Sequence, residues 1–265
     1  MTSPRIIDFA IPCTNTRHEF FSRDRLDLIV QSLSSSAYKL QGAMPLSIIY
    51  RHKKFNPSLA ISLISCHIDS IYDKYYANDH GDTFHGTFDN SACNAILVQA
   101  MLENILHPQT LIAFTGDEEY DSIGVDQSIE ILDHSDLFSQ LEMVIVLDLT
   151  DEYYGKCPFT IENYCREKNH AGSKLSFATA KELKNFLKSI LNNDFFIKNG
   201  DPDESWQYYQ YDLNCFSLCL PCRSLGEDMH ADEGVEIRKS DVMDFLQALN
   251  TLTHGLHDQI NQQNP

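Results

Sequence analysis

The sequence predicts an α/β fold in which a twisted, mostly parallel mixed sheet lies between layers of helices. Short apolar runs of the kind found in fully buried strands recur along the chain, and segments with helical spacing of apolar residues separate them. Several of these runs end in histidine or in acidic residues. Buried strands that alternate with helices are typical of three-layer domains built on a parallel sheet.

The first half of the chain provides three predicted strands and one predicted helix. The strands are 45–52, 58–69 and 110–116, and the helix is 90–106. Apolar residues recur at helical spacing through this helix, and Asn90 is its predicted N-cap. The run 58–69 reads as a buried strand that ends in His67 and Asp69.

The second half continues the alternation with two strands and two helices. The strands are 142–149 and 214–222, and the helices are 177–191 and 240–252, with Ser240 or Asp241 expected to cap the last of them. The chain has no internal repeat, no low-complexity linker and no break in composition. We therefore expect one catalytic domain over 1–265, without an inserted lid domain.

The composition narrows the classes of partner. The chain has 265 residues, of which 43% are hydrophobic, and its 38 acidic against 20 basic residues give a formal charge of −18. This balance argues against binding to nucleic-acid phosphates or to anionic membranes. An acidic surface suits cationic ligands or metal ions, although solubility is the simpler explanation for most of the charge.

Targeting signals and cysteines point to a cytoplasmic protein. The first residues lack the basic and apolar regions of a secretory signal, and no window approaches the roughly 18 apolar residues of a membrane helix. The eight cysteines are scattered, and we expect them to be reduced. Cys219 and Cys222 form a C-x-x-C within a strand-like run, where a redox role is the less favoured interpretation.

Chemically active side chains gather at the predicted strand ends, where ligands bind in parallel sheets. They are His67, Asp69, Asp89, Glu118, Glu119, Asp148 and His230. Each has an ordinary explanation as a solvated histidine, a helix cap or a loop acid. Together, two histidines, two aspartates and a glutamate suit two divalent cations, provided that one carboxylate bridges the ions.

The order and spacing of these motifs resemble the clan of co-catalytic zinc aminopeptidases and carboxypeptidases. Within that clan the chain is most similar to the compact, lid-free aminopeptidases. The resemblance spans about residues 45 to 255 and rests on HID (67–69), GTFDN (86–90), FTGDEEYDSIG (114–124), VLDL (146–149) and MHADEGVE (229–236).

The resemblance implies two zinc ions per chain, with a single ion or another divalent metal as the alternative. His67 and Asp148 would hold one ion, and Glu119 and His230 would hold the other. Asp89 would bridge the two. The fold that the resemblance implies, a mostly parallel sheet between helices, agrees with the strand pattern.

The resemblance also implies a reaction. Glu118 would be the general base, and Asp69 would orient the imidazole of His67. The expected activity is the release of N-terminal residues from a peptide or small amide substrate, with the oligomeric state left open. A single-zinc glutaminyl cyclase, an N-acyl amino acid amidohydrolase and an inactive metal-binding scaffold protein are the alternatives; the intact Glu118 argues against the scaffold.

The substrate pocket is where the sequence departs from the family pattern. Asp121 and Cys93 stand where glycines are common in the family, and Asp151 and Glu152 add acids just after Asp148, which the resemblance implies is a ligand. These two acids are candidates for pairing with a substrate α-amino group. Tyr208, within the aromatic segment 206–211, is a candidate for the pocket wall. Loop and core packing are the competing interpretations.

Overall fold

The structure is a computed structural model that describes residues 4–9, 23–163, 180–191, 194–198 and 203–262. These residues form twelve strands and seven α-helices. In chain order they are α1 (Ile6–Phe9), α2 (Arg23–Leu33), β1 (Tyr38–Met44), β2 (Ser47–His52), β3 (Ile61–His67), β4 (Ala77–Asp79), β5 (Thr83–Gly86), α3 (Ser91–Leu102), β6 (Thr110–Thr115), α4 (Ile123–His134), β7 (Leu141–Thr150), β8 (Thr160–Glu162), α5 (Ala180–Ile190), β9 (Phe196–Lys198), α6 (Glu204–Gln210), β10 (Cys215–Pro221), β11 (Arg223–Ser224), β12 (Val235–Arg238) and α7 (Lys239–Gln262).

Eight strands form the main sheet, in the order β1-β2-β6-β3-β7-β10-β8-β9. The four central strands, β6, β3, β7 and β10, run parallel to one another. Toward one edge, β2 and β1 are antiparallel additions, and toward the other β8 is antiparallel to β10. The sheet is therefore mixed and parallel at its centre, which confirms the predicted fold class.

Helices cover both faces of this sheet. Successive residues of β3 point to opposite faces, so that Leu63 packs in one apolar cluster and Ile64 in the other. Helices α3 and α7 pack on the face of Ile64, while α4 and α6 lie on the other. All seven residues of β3 are buried, which explains why this strand is a continuous apolar run in the sequence.

A second, smaller sheet has the order β11-β12-β5-β4 and is antiparallel throughout. None of its strands was predicted from the sequence, and they are two to four residues long. Gly234 lies just before β12 with φ +67°, and a Cβ there would lie 2.3 Å from the carbonyl oxygen of Gly86. This close backbone contact lies between β5 and the start of β12, the two central strands of the small sheet.

The predicted elements are present with shifted bounds, and two cap predictions are wrong. Asn90 precedes α3 but makes no capping bond; its amide donates instead to the carbonyl of Leu147 at 2.6 Å. Helix α7 begins at Lys239, so Ser240 and Asp241 lie inside its first turn. The carboxylate of Asp241 accepts two hydrogen bonds from Arg238, at 2.7 and 2.8 Å.

Three further sequence predictions concern the helix 177–191, the thiols and the membrane. Residues 177–179 lie outside the described residues, and α5 accounts for the rest of that predicted helix. Cys219 and Cys222 are buried free thiols. None of the helices in the described part of the chain combines the length and apolar character that crossing a bilayer requires.

Candidate metal centre

The ends of the central strands bring four of the singled-out side chains to one edge of the sheet. His67 is the last residue of β3, and it is level with Thr115 of β6. The chain leaves β6 through a short turn that carries Glu118 and Glu119. In the other neighbour, β7, Ser65 pairs with Val146, and His67 and Asp148 each lie two residues further along their strands.

Asp89 and His230 reach the same edge from segments attached to the small sheet. Asp89 lies between β5 and α3, and His230 lies in the loop between β11 and β12. The pairing of β5 with β12 and the contact between Gly86 and Gly234 hold these two segments side by side.

His67 is the centre of the resulting group. Its Nε2 lies 3.4 Å from Asp89 Oδ1, 3.7 Å from Asp148 Oδ1 and 4.0 Å from Glu118 Oε2. The other oxygen of Asp89, Oδ2, lies 3.1 Å from Nε2 of His230. Asp89 therefore stands between the two histidines and turns one oxygen toward each.

Two sets of three ligand atoms come close enough to surround a cation. One ligand atom each from His67, Asp89 and Asp148 lie within 4.8 Å of one another, and so do ligand atoms from His67, Glu118 and Glu119. Glu119 thus belongs to the set that contains His67. His230 belongs to neither set, and it forms its ion pair with Asp89.

Asp69 lies on the far side of the His67 ring. Its Oδ1 is 3.5 Å from Nδ1 of His67, and its Oδ2 accepts a hydrogen bond from the backbone N–H of Glu119 at 3.3 Å. Both the imidazole and this carboxylate are almost completely buried. Asp69 therefore contacts the strand end that carries the histidine and the turn that carries the glutamates.

The buried atoms of the group lack partners, and this tests whether a cation fits. Asp89 Oδ1 and Glu119 Oε1 are buried without a hydrogen-bond partner. The side chain of Asp89 is only 4% exposed, and an unpaired charge at such depth is costly. Carboxylate oxygen and imidazole nitrogen are donors that zinc accepts in proteins. The residues present therefore fit a divalent cation.

The pKa values of the carboxylates show how strongly negative charge is crowded here. Burial raises the pKa of Glu118 to about 10 and that of Glu119 to about 8, and neighbouring carboxylates add to the rise. Burial also raises the pKa of Asp148 to about 6. Bound cations would reverse this effect, because positive charge favours the ionised carboxylates.

Asp89 behaves in the opposite way because it lies between two imidazoles. Burial acts to raise its pKa, but the hydrogen bond with His230 and the nearby imidazole of His67 outweigh burial and hold the pKa below its usual value. The hydrogen bond to Asp89 in turn raises the pKa of His230. Without a metal, this aspartate is therefore the carboxylate of the group that stays ionised most readily.

A cavity of about 380 Å³ opens above the group. Asp89, Glu118, Glu119, Asp148 and His230 all line it. Its lining also includes residues that were not predicted from the sequence, namely Glu162, Asn163, Lys198 and Asp203. These residues lie on or beside short strands and a helix start, which have no strong sequence signal.

The three candidate substrate-binding residues are placed differently. Asp151 and Glu152 line the cavity and are exposed at its rim. Nζ of Lys198 lies 3.0 Å from Glu152 Oε1, so that this acid already has a partner. Tyr208 is fully buried in the core, where its hydroxyl donates to Ser65 Oγ at 3.0 Å. Tyr208 is not among the residues that line the cavity, so its position in the core does not suit contact with a substrate there.

Comparisons with known proteins concern the fold. No protein-family model matches the sequence, and no curated protein sequence matches it. Aminopeptidase APDkam598 from the archaeon Desulfurococcus kamchatkensis has a TM-score of 0.67 at 11% identity, with 98% of each chain covered. The TET1 peptidase of Pyrococcus horikoshii, which can assemble into a tetrahedron or a large octahedral shell, has a TM-score of 0.65 at 12% identity, with 94% of this chain and 99% of that chain covered.

A third solved structure, BSAP, is a zinc aminopeptidase from Bacillus subtilis. Its TM-score is 0.51 at 14% identity, and the match covers 80% of this chain and 49% of that one. At such identities the likeness concerns the fold. It confirms the fold that the motif resemblance implied.

Proposed function

We propose that this chain is a metal-dependent aminopeptidase that releases N-terminal residues from peptides with the help of two zinc ions. His67 and Asp148 would hold one ion, Glu119 and His230 the other, and Asp89 would lie between them as a shared ligand. The aminopeptidases among the fold relatives, one of them named as a zinc enzyme, support this proposal.

The observation that carries the proposal is that these side chains meet at one place, where they form a largely buried group rich in carboxylates. Asp89 turns its two oxygens toward two different histidines, at 3.4 and 3.1 Å. This is what a carboxylate shared by two cations needs, because each ion then takes one oxygen. The unpartnered buried atoms Asp89 Oδ1 and Glu119 Oε1 further support cation binding.

In the proposed reaction, the zinc ions would lower the pKa of a water molecule and polarise the scissile carbonyl group. Glu118 would accept a proton as the water attacks the carbonyl carbon, and it would then donate that proton to the leaving amine. The position of Glu118 supports this role, because Glu118 lines the cavity and its Oε2 lies 4.0 Å from Nε2 of His67. Asp69 would keep the ring of His67 in orientation through Nδ1.

Recognition of a free α-amino group would fall to acids at the cavity rim. Asp151 and Glu152 are the candidates, because both line the cavity beside Asp148 and both are exposed. Glu162 and Lys198 also line the cavity and form an ion pair there. These polar side chains suit a substrate with charged or hydrogen-bonding groups.

The proposal includes one catalytic domain without a lid. The interval from His67 to Asp89 is 89 − 67 = 22 residues, which is too short for a further folded domain. It also includes a cytoplasmic location, which is supported by the six free cysteines among the described residues.

The test measures metal content and substrate class together. Purified protein reconstituted with zinc is analysed for bound metal by mass spectrometry and then assayed on aminoacyl, N-acyl and N-terminal glutamine substrates. Two zinc ions per chain and hydrolysis restricted to substrates with a free amino group are expected. One ion with cyclisation of N-terminal glutamine, or preferential cleavage of N-acyl substrates, would replace the proposal with the corresponding alternative. Zinc binding without turnover of any substrate would favour the scaffold.

A further inference from the structure

His230 differs from the other proposed ligands in how it is held. His67 and Asp148 belong to central strands of the main sheet, where neighbouring strands fix the backbone. His230 lies in the loop between β11 and β12, and its side chain is 43% exposed. Its position therefore depends on whatever holds this loop against the rest of the molecule.

The loop is fastened to the segment that follows β3. The hydroxyl of Tyr72 donates a hydrogen bond of 2.7 Å to the carbonyl of Met229, the residue immediately before His230. Tyr72 is 5% exposed, so the donor side of this bond is buried, while Met229 is partly buried. The bond connects the segment leaving His67 directly to the backbone of the second histidine.

Asp232 forms a second attachment, two residues after His230. Its Oδ1 accepts hydrogen bonds from the backbone N–H groups of Asp73 and Lys74, at 3.0 and 3.1 Å. The charge of Lys74 adds little to this attachment, because its Nζ is 3.7 Å from Asp232 Oδ2 and its side chain is 80% exposed. Hydrogen bonds on both sides of His230 thus hold the loop to one segment, 72–74.

We propose that Tyr72 and Asp232 are positioning residues that hold His230 toward Asp89 and thereby set the affinity of one of the two zinc sites. This inference rests on the proposed function, since it assumes that His230 binds zinc. It goes further by assigning a task to two residues that are not proposed ligands and do not line the cavity. The hydroxyl of Tyr72 also contacts the backbone of Asp89, so Tyr72 lies next to both residues that it is proposed to bring together.

The physical reason is that a loop ligand binds well only when its position is settled before the metal arrives. Removing the Tyr72 hydroxyl leaves the partly buried carbonyl of Met229 without this hydrogen bond, so the present loop conformation is less strongly favoured over other conformations. His230 would then spend less time next to Asp89, and the zinc ion it shares with Glu119 would bind more weakly. Changing supporting residues around a metal site typically weakens metal binding by about 10- to 100-fold.

Three variants test the two attachments. Tyr72→Phe removes only the hydroxyl. Asp232→Ala removes the acceptor for Asp73 and Lys74, whereas Asp232→Asn keeps an Oδ1 acceptor in the same place. The matched control is Tyr211→Phe, which removes a tyrosine hydroxyl bonded to Asp126 at 2.7 Å, away from the cavity.

The measurement is zinc binding by metal-free protein in competition with a coloured chelator, which resolves the two equivalents without relying on activity. Tyr72→Phe and Asp232→Ala are expected to weaken one equivalent by about 10-fold and to leave the other unchanged. Asp232→Asn and Tyr211→Phe should bind both equivalents as the wild type does. Adding Tyr72→Phe to His230→Ala should cause no further loss, because both changes act on the same ligand.

Each other result has a distinct meaning. Wild-type binding of both equivalents by Tyr72→Phe and Asp232→Ala would overturn the positioning role. Equal weakening of both equivalents would also overturn it, because that is the result of a general loss of structure. Wild-type protein that binds fewer than two equivalents would refute the proposed two-zinc function itself, before any variant is considered.

Discussion

Histidines lie at both ends of the central strands, but the side chains that surround them differ. At the amino ends, Ser62 Oγ lies 3.0 Å from Thr110 Oγ1 and 3.1 Å from Nε2 of His257. The ring of His107 stacks on that of His257 with centroids 4.1 Å apart. At the carboxyl ends, His67 is surrounded by carboxylates with unpartnered oxygens.

The difference separates a histidine that packs from one that is a candidate for chemistry. Burial lowers the pKa of His257 to about 3 and that of His107 to about 4, so both rings are neutral near pH 7. His257 bonds to the hydroxyl of Ser62, and His107 accepts a hydrogen bond from the backbone N–H of Gln109. Burial also acts to lower the pKa of His67, but Glu118 and the other carboxylates outweigh it and raise the pKa. Burial of a histidine alone is therefore a poor guide to function, whereas crowding of carboxylates around it indicates a candidate functional site.

The largest expected effect concerns the two adjacent glutamates of the carboxyl end. Glu118→Gln should reduce peptide hydrolysis by roughly a hundredfold or more while zinc content stays near normal, because the amide keeps the shape but cannot accept a proton. Glu119→Gln should weaken zinc binding first and lose activity as a consequence. Zinc stoichiometry and hydrolysis are measured for both variants.

Glu130→Gln is the control for these glutamate variants, since Glu130 is an exposed residue of α4. It should match the wild type in both measurements. Full activity in Glu118→Gln, or wild-type affinity for both metals in Glu119→Gln, would contradict the separate roles of the two residues.

The second expected effect is on stability, and it has a definite sign with pH. In zinc-free protein the pKa of Glu119 is raised from 4.5 to about 8, so the folded state favours the protonated acid. Protonated Glu119 therefore stabilises the folded state fully below its unfolded pKa of 4.5, and this contribution is lost as pH rises toward 8. Zinc at a few hundred times its dissociation constant should add about 3 kcal/mol, and it should raise the melting temperature more at pH 8 than at pH 6.

Thermal unfolding with zinc and with a chelator at the two pH values measures this effect. An equal zinc-induced shift at both pH values would contradict the crowding of negative charge at the carboxyl end. Glu119→Gln sharpens the comparison, because its zinc-free form should lose less stability than the wild type between pH 6 and pH 8.

The amino end should respond to pH with the opposite sign. The pKa of His257 is lowered from 6.5 to about 3 by burial, so its contribution is complete above pH 6.5 and is lost as pH falls from there. The loss by pH 4 should be on the order of 3 kcal/mol. Urea unfolding of zinc-free protein at pH 7 and pH 5 should show a smaller difference for His257→Gln than for the wild type. An unchanged difference would show that other groups control acid unfolding.

The smallest expected effect is at the cavity rim. Asp151→Asn and Glu152→Gln should each raise KM for aminoacyl substrates by less than about 5-fold, because exposed charge pairs contribute little. Neither change should alter zinc content. A fall in kcat at unchanged KM would place these acids closer to the reaction than the rim, and no change in either parameter would remove them from substrate recognition.

The sequence predicted five strands of the main sheet, β2, β3, β6, β7 and β10, and located the side chains that meet at their ends, because both have strong signals. Buried parallel strands are continuous apolar runs, and the residues that follow them, such as His67 and Glu118, are easily located. The small sheet has no such signal, since its strands are short and partly exposed. Helix α4 was not predicted either; it begins after Ser122, a residue with φ +53° and no side-chain cap.

Other features depend on tertiary contacts that no local pattern encodes. Tyr208 and Tyr72 are both tyrosines in polar surroundings in the sequence, but one is buried beneath the sheet beside Ser65 and the other holds the His230 loop. Asn90 looked like a helix cap because its type suits one, whereas the fold uses its amide to bind the carbonyl of Leu147. Lys198 reaches the cavity only because β9 pairs with β8 at the sheet edge.

The contact between Gly86 and Gly234 limits how this protein can evolve. A side chain at Gly234 would lie 2.3 Å from the carbonyl oxygen of Gly86, and one at Gly86 would lie 2.4 Å from the carbonyl oxygen of Tyr76. Neither neighbour is a flexible side chain that can move aside. Two positions separated by 234 − 86 = 148 residues should therefore tolerate almost no replacement in a saturation mutagenesis screen, and drift at either one would separate the segments that bring Asp89 and His230 together.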